Sequence, residues 1–159
     1  NAVNKLPSGF LSKAEFLIAG EGELENELKA ENESLGGKVI FTGRVMDIYT
    51  FLNSVHVLVN ASRSPNEGFP AIITEAGATN TLVISSDFAG AEEVIKHGVN
   101  GLIYRDNSSD NLSKLISEVI TDYEKFAPLA QNFYEFTKKE FSIPVMIEKH
   151  LSLYNSCLK

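Results

Sequence analysis

Ser62-Arg63-Ser64-Pro65-Asn66-Glu67-Gly68-Phe69-Pro70-Ala71-Ile72-Ile73-Thr74-Glu75-Ala76 is the stretch on which the reading of this chain turns. In front of it stands Val55-His56-Val57-Leu58-Val59, an apolar run with the length and β-branched content of a buried strand. Behind the polar loop, Pro70 opens a helix, because a proline at the first helical position forfeits no hydrogen bond. Phe69 cannot cap that helix as Ser or Asp would. The backbone donors of Ala71 and Ile72 are therefore expected to lack a side-chain acceptor, and such a helix start attracts an anion. Glu67 lies just before it and Glu75 about a turn and a half inside it. A strand, a loop with a carboxylate and an uncapped helix start predict a ligand site at a strand's carboxyl end.

Both acids also have a plainer explanation. Glu67 can be a solvated side chain favoured by the helix dipole. Glu75 sits in an otherwise apolar helix (Ala71, Ile72, Ile73, Ala76, Ala78), and a partly buried carboxylate there needs a partner. Sugar hydroxyls would serve, and so would an internal Lys or Arg.

Working outward, strands and helices alternate. Asn1 to Ser12 is expected to be a helix remnant and a loop around Pro7-Ser8-Gly9, followed by a strand over Glu15–Ala19. Gly20-Glu21-Gly22 turns into a helix with Leu24, Leu28 and Leu35 at helical spacing, stopped by Gly36-Gly37. This Gly-x-Gly is a structural turn rather than a dinucleotide fingerprint, since Glu25 occupies the place of the last glycine and Glu21, Glu23 and Glu25 would repel a pyrophosphate. Further strands are predicted at Val39–Phe41, Leu82–Ser85 and Gly101–Tyr104, with short helices at Ile48–Ser54 and Ala91–Lys96. Such alternation implies a parallel sheet with crossovers. From Ser108 the pattern is wholly helical: Leu112, Leu115, Ile116, Val119 and Ile120 share one face, and helices follow over Tyr123–Glu140 and Ile143–Leu158.

The fold class is thus α/β: a Rossmann-like parallel sheet with helices on both faces and a helical C-terminal tail. One domain is expected over residues 1–159, with the α/β core at about 14–107 and the C-terminal helices at about 108–159. A net charge of −7 argues against nucleic acid or an anionic membrane surface as partner. The single Cys157 allows no internal disulfide, which suits a reducing, cytoplasmic setting. No apolar run approaches the ~20 residues of a membrane span. The opening Asn1-Ala2-Val3-Asn4-Lys5 suggests a fragment of a longer protein. His56, His97 and His150 are scattered without metal-ligand spacing, and His56 is expected to be a satisfied core residue. No Gly-x-Ser-x-Gly supports a hydrolase triad. Phe126, Phe133, Phe136 and Phe141 are expected to be core rather than a stacking platform.

Glu67-Gly68-Phe69-Pro70 followed by Glu75-Ala76 resembles the Glu-x7-Glu signature of retaining nucleotide-sugar glycosyltransferases with the GT-B fold, of the large family-four type. Phe16-Leu17-Ile18-Ala19-Gly20-Glu21-Gly22-Glu23-Leu24 is similar to that family's strand and Gly-x-Gly turn, and Val39-Ile40-Phe41-Thr42-Gly43-Arg44-Val45 to its next strand and base-side loop. Leu82-Val83-Ile84-Ser85 with Gly90 and Glu93, then His97-Gly98-Val99-Asn100-Gly101-Leu102, resembles the closing segment. The ordered set runs from about Ala14 to Tyr104.

The resemblance implies the C-terminal, donor-binding half of a GT-B enzyme whose N-terminal acceptor domain is absent from this fragment. It implies sugar transfer from a nucleotide diphosphate sugar to a saccharide or lipid-linked acceptor, in cell-surface polysaccharide synthesis. Nothing in the sequence decides the base; UDP is the first guess and GDP the second. Glu67 would be the catalytic carboxylate near the donor sugar, and Glu75 would accept hydrogen bonds from the ribose. Backbone N–H groups at Gly68, Phe69, Pro70's neighbour Ala71 and the turn around Pro70 would hold the diphosphate without a metal or other cofactor. Arg44 and Val45 would flank the base; Gly90 and Glu93 would lie near the phosphate. The own acceptor domain would be the protein partner and would supply any peripheral association with the inner face of the membrane. Pro70 and Ala71 depart from the Gly and large apolar residue of many members. The Arg and Lys that usually clamp the diphosphate have no match, and Arg63 stands at a different position. An inert nucleotide-binding or interaction module, and a GT-B epimerase or phosphorylase, are the alternative readings.

Overall fold

The computed structural model describes residues 1–62, 68, 69 and 71–158. Two short 3-10 turns, Val3–Lys5 and Ser8–Phe10, stand where a helix remnant was expected. They precede β1 (Leu17–Ala19), α1 (Glu25–Ser34), β2 (Ile40–Gly43), α2 (Ile48–Asn53) and β3 (Val57–Asn60). Then come α3 (Ala71–Ala78), β4 (Leu82–Ser86), α4 (Ala89–Glu92) and β5 (Leu102–Tyr104). The tail is α5 (Ser109–Thr121), α6 (Tyr123–Phe141) and α7 (Ile143–Cys157). The α/β class and the helical tail are as the sequence predicts.

The sheet differs in one respect. Among the described residues every strand pairing is parallel, but the strands form two sheets, β1-β2 and β3-β4-β5, where one was expected. Within the larger sheet the pleat sends alternate side chains to opposite faces. Leu82 and Ile84 of β4, with Leu102 and Tyr104 of β5, pack against Leu112, Ile116 and Val119 of α5 and Phe126 of α6. Val83 and Ile103 point the other way, onto Leu52 of α2, Ile73 and Ala76 of α3, and Phe133 of α6. Helices therefore cover both faces, and β4 is buried along its whole length, as a central parallel strand should be.

Helix ends follow local chemistry. Ser108 caps α5 by accepting from the Asp110 and Asn111 N–H groups, and Asp47 caps α2 by accepting from Thr50 N–H at 3.0 Å. The Thr50 hydroxyl donates to the same carboxylate at 2.6 Å, and these bonds hold Asp47 below its ordinary pKa. Gly77 lets α3 lie close on α6, since a Cβ there would run into the Thr137 hydroxyl and the Phe133 ring.

Two sequence expectations are corrected. His56 is exposed rather than core: β3 begins at Val57, two residues after the predicted start at Val55, and the imidazole meets Tyr123 edge-on at 5.5 Å. Of the four phenylalanines, Phe126 and Phe133 are buried, Phe136 is half-buried, and Phe141 lies exposed at the last turn of α6.

Candidate functional site

Parallel pairing places the carboxyl ends of each sheet's strands along one edge, and the loops there carry the predicted site. At the end of the smaller sheet, Gly20 N–H donates to Gly43 O at 2.8 Å, tying the two turns together. Gly43 holds φ at +67°, a conformation open to glycine, and so turns the chain from β2 into Arg44. Arg44 is exposed and its Nη1 stands 3.8 Å from Glu21 Oε1; Val45 beside it is half-buried. The acidic turn that argued against a pyrophosphate thus supplies a counter-charge for Arg44, a contact the sequence reading missed.

In the larger sheet, the loop after β3 is held at both described flanks by the end of β4 and the segment that follows it. Ser86 Oγ donates to Ser62 O at 2.6 Å. On the far side, Gly68 presses against Gly90: a Cβ at Gly90 would lie 2.5 Å from Gly68 O. Gly90 is therefore a glycine for close backbone approach rather than for an unusual φ. Gly68 and Phe69 are exposed. Glu67, Pro70 and Arg63 lie outside the described residues.

α3 starts at Ala71. Its buried stripe is Ile73, Ala76 and Gly77, and one helical rotation away Ala71, Glu75 and Ala78 face outward. Glu75 is exposed, which corrects the expectation of a partly buried carboxylate. Composition misled here because two of the three alanines that make α3 look apolar all round, Ala71 and Ala78, occupy its open side. Among the described residues Glu75 makes no side-chain hydrogen bond or ion pair, so no internal Lys or Arg among them accounts for it. It stands one turn below Ala71, on the same stripe.

α4 is shorter than predicted and begins two residues earlier, at Ala89. Glu93 follows its last residue, exposed and without an ion pair among the described residues. Its neighbour Glu92 instead receives Arg105 Nη2 at 3.1 Å, with Asp87 Oδ2 4.0 Å from Nη1 and also accepting Asp106 N–H at 3.3 Å. This cluster braces the loops after β4 and β5. Sequence reasoning passed over it because Arg105 and Asp87 stand far apart in the chain. A shallow depression of about 330 Å³ lined by Lys114, Glu118, Asp122 and Phe126 lies beside the α5–α6 turn, on other elements.

The structure therefore brings Gly68 together with Gly90, and Ala71 into line with Glu75, while Arg44 and Val45 belong to the other sheet. The family model described as glycosyl transferases group 1 matches residues 1–140. The chain belongs to this family. Its fold is that of the group 1, GT-B enzymes: HepE from Anabaena, solved in complex with UDP-glucose, superposes with a TM-score of 0.85. That likeness covers 98% of this chain and 43% of HepE at 25% identity. The C-terminal domain of a group 1 glycosyl transferase, LpcC from Francisella tularensis, superposes with a TM-score of 0.68 over 76% of this chain and 64% of that one, at 25% identity. In sequence, a Campylobacter jejuni enzyme named as a GalNAc-alpha-(1->4)-GalNAc-alpha-(1->3)-diNAcBac-PP-undecaprenol alpha-1,4-N-acetyl-D-galactosaminyltransferase is 31% identical over 153 residues. The match covers 96% of this group 1 chain and 42% of that enzyme. The chain thus spans about two fifths of the length of such relatives. No helix among its described residues is long and apolar enough to cross a membrane.

Proposed function

We propose that this chain is the donor-binding domain of a retaining glycosyltransferase, one that takes a UDP-sugar and transfers the sugar to a saccharide or lipid-linked acceptor bound by a separate domain. The observation that carries the reading is Glu75: an outward-facing carboxylate one turn inside α3, without a side-chain partner among the described residues. A carboxylate in that place suits the paired hydroxyls of a ribose, to which it can offer two acceptor oxygens. HepE's complex with UDP-glucose supports a uridine nucleotide. The Campylobacter relative's named acceptor supports a lipid-linked saccharide.

In this reading the diphosphate rests on backbone donors between Gly68 and Ala71, with Gly90 and Glu93 alongside and Arg44 and Val45 toward the base. Pro70, lacking an N–H, cannot be one of those donors. The diphosphate is the leaving group, and charge grows on its oxygens as the glycosidic bond breaks. Fixed backbone donors stabilise that charge without reorganising. Glu67 precedes the helix in the sequence, and a carboxylate beside the donor sugar would favour oxocarbenium character at the anomeric carbon.

Calorimetry of the full-length protein with UDP in EDTA tests the site. Binding is expected without metal, and Glu75→Ala should weaken it by ~1–3 kcal/mol, the range for leaving polar partners unpaired. Glu67→Gln should leave UDP affinity nearly intact while cutting turnover at least ~100-fold, as an interaction made mainly in the transition state does. UDP binding that requires magnesium or manganese, or that Glu75→Ala leaves unchanged, overturns the reading.

A further inference from the structure

The head of α3 is tied to the core by a series of rings that the activity itself does not explain. Phe69, immediately before the helix, meets Phe141 at 5.1 Å between centroids, tilted by 42°. Phe141 meets Phe136 edge-on at 5.6 Å, and Phe136 stacks on Phe133 at 6.3 Å. Phe133 is fully buried, so the series runs from an exposed loop to the interior. Phe69 and Phe141 are themselves 48% and 38% exposed. A pair so open to water buries little apolar area, and its geometry matters more than its burial: aromatic rings in contact prefer particular offsets and tilts.

The location gives that geometry a consequence. Gly77, near the C-terminal end of α3, lies against Thr137 and Phe133 of α6, and Phe69, two residues ahead of α3, lies against Phe141. Gly68, one residue before Phe69, is pressed against Gly90. Helix α3 is thereby fixed at its far end by Gly77 and at its head by two contacts from different elements. One is a backbone approach from Gly90; the other is a side-chain contact from Phe141, the last residue of α6. A ring removed at Phe141 frees Phe69, and with it the tilt of the first turn that presents Ala71 and Glu75.

We infer that Phe141, although it lies in the C-terminal helices, is a positioning residue for the donor site, acting through Phe69 to set the first turn of α3. The inference rests on the reading of Glu75 as a nucleotide ligand for its functional consequence, but the mechanical link stands on the ring contacts alone. Two readouts on the full-length protein keep the two apart.

The first is amide hydrogen exchange, without ligand. Phe141→Ala should speed exchange at the Glu75 and Ala76 amides about tenfold while leaving the β4 amides unchanged, and Phe141→Tyr, which keeps the ring, should match wild type. The second is UDP affinity, which Phe141→Ala should weaken about five- to tenfold and Phe141→Tyr should restore. Unchanged exchange at Glu75 in Phe141→Ala overturns the inference, as does an equal loss of UDP affinity in the Ala and Tyr variants. Faster exchange in Phe141→Ala together with a wild type that does not bind UDP upholds the positional link and removes the donor-site reading instead.

Discussion

The two sheets of this chain are built from the same local grammar and come out differently. In the β3-β4-β5 unit, Leu82, Val83 and Ile84 have no exposure at all. In the β1–α1–β2 unit, Leu17, Ile18 and Ile40 are 36%, 39% and 51% exposed, and α1 buries none of its residues. Both units are parallel strands joined by crossovers. A parallel strand is normally covered on both faces, and among the described residues only the larger sheet has helices on each side, with α6, drawn from beyond the last strand, contributing to both. The comparison teaches that strand-forming sequence specifies pairing, whereas burial depends on which remote elements arrive.

Mutations in the two units should therefore differ in size. Phe133→Ala removes a fully buried ring from the α3–α6 side of the larger sheet and should cost ~3–5 kcal/mol, whereas Ile18→Ala in β1 should cost less than ~1 kcal/mol. Denaturant midpoints measure both, and equal losses would erase the distinction. Gly77→Ala comes next, at ~1–3 kcal/mol, because the added methyl meets the Thr137 hydroxyl and the Phe133 ring. Adding Thr137→Ala should recover part of that loss, and a double variant no better than the single one would show that the ring is the obstacle.

Within the smaller unit the strongest tie is polar. The Asn32 side chain donates to Val39 O at 2.9 Å and accepts from Val39 N–H at 3.0 Å, pinning the end of α1 to the start of β2. Asn32→Ala should cost ~1–2 kcal/mol locally, read as faster hydrogen exchange at Ile40 and Phe41, with little change in the global transition. A matching fall in the global midpoint would mean that the two units unfold together.

The smallest effect is a pH dependence at α2. Asp47 is held below its ordinary value of 3.8 chiefly by the Thr50 hydroxyl, then by the Thr50 N–H. A depressed folded-state pKa means that its contribution is complete above the unfolded value and fades as pH falls through the folded one. The Thr50 amide should therefore lose protection only in that acid range. Asp47→Asn, which still accepts from Thr50 N–H, should show no such dependence, and an identical acid profile in the two proteins would assign the effect to other carboxylates.

The sequence by itself determined the order and type of the elements and the family. Apolar runs such as Leu82–Ser85 can only be buried strands, and ordered motifs such as Gly20-Glu21-Gly22 and Glu75-Ala76 are local signals that survive without coordinates. Element ends such as that of α4 shifted by a few residues, since short-range propensity leaves helix termini loosely fixed. Only the tertiary structure decided which way Glu75 faces. An alanine-rich helix carries no outward signal until Ile73 and Gly77 are seated on α6, and that seating turns Glu75 to the open side. Likewise the division into two sheets, the pairing of Arg44 with Glu21, and the reach of Phe141 to Phe69 join residues distant in sequence. Such contacts depend on the packing of whole helices and strands, which no single stretch encodes.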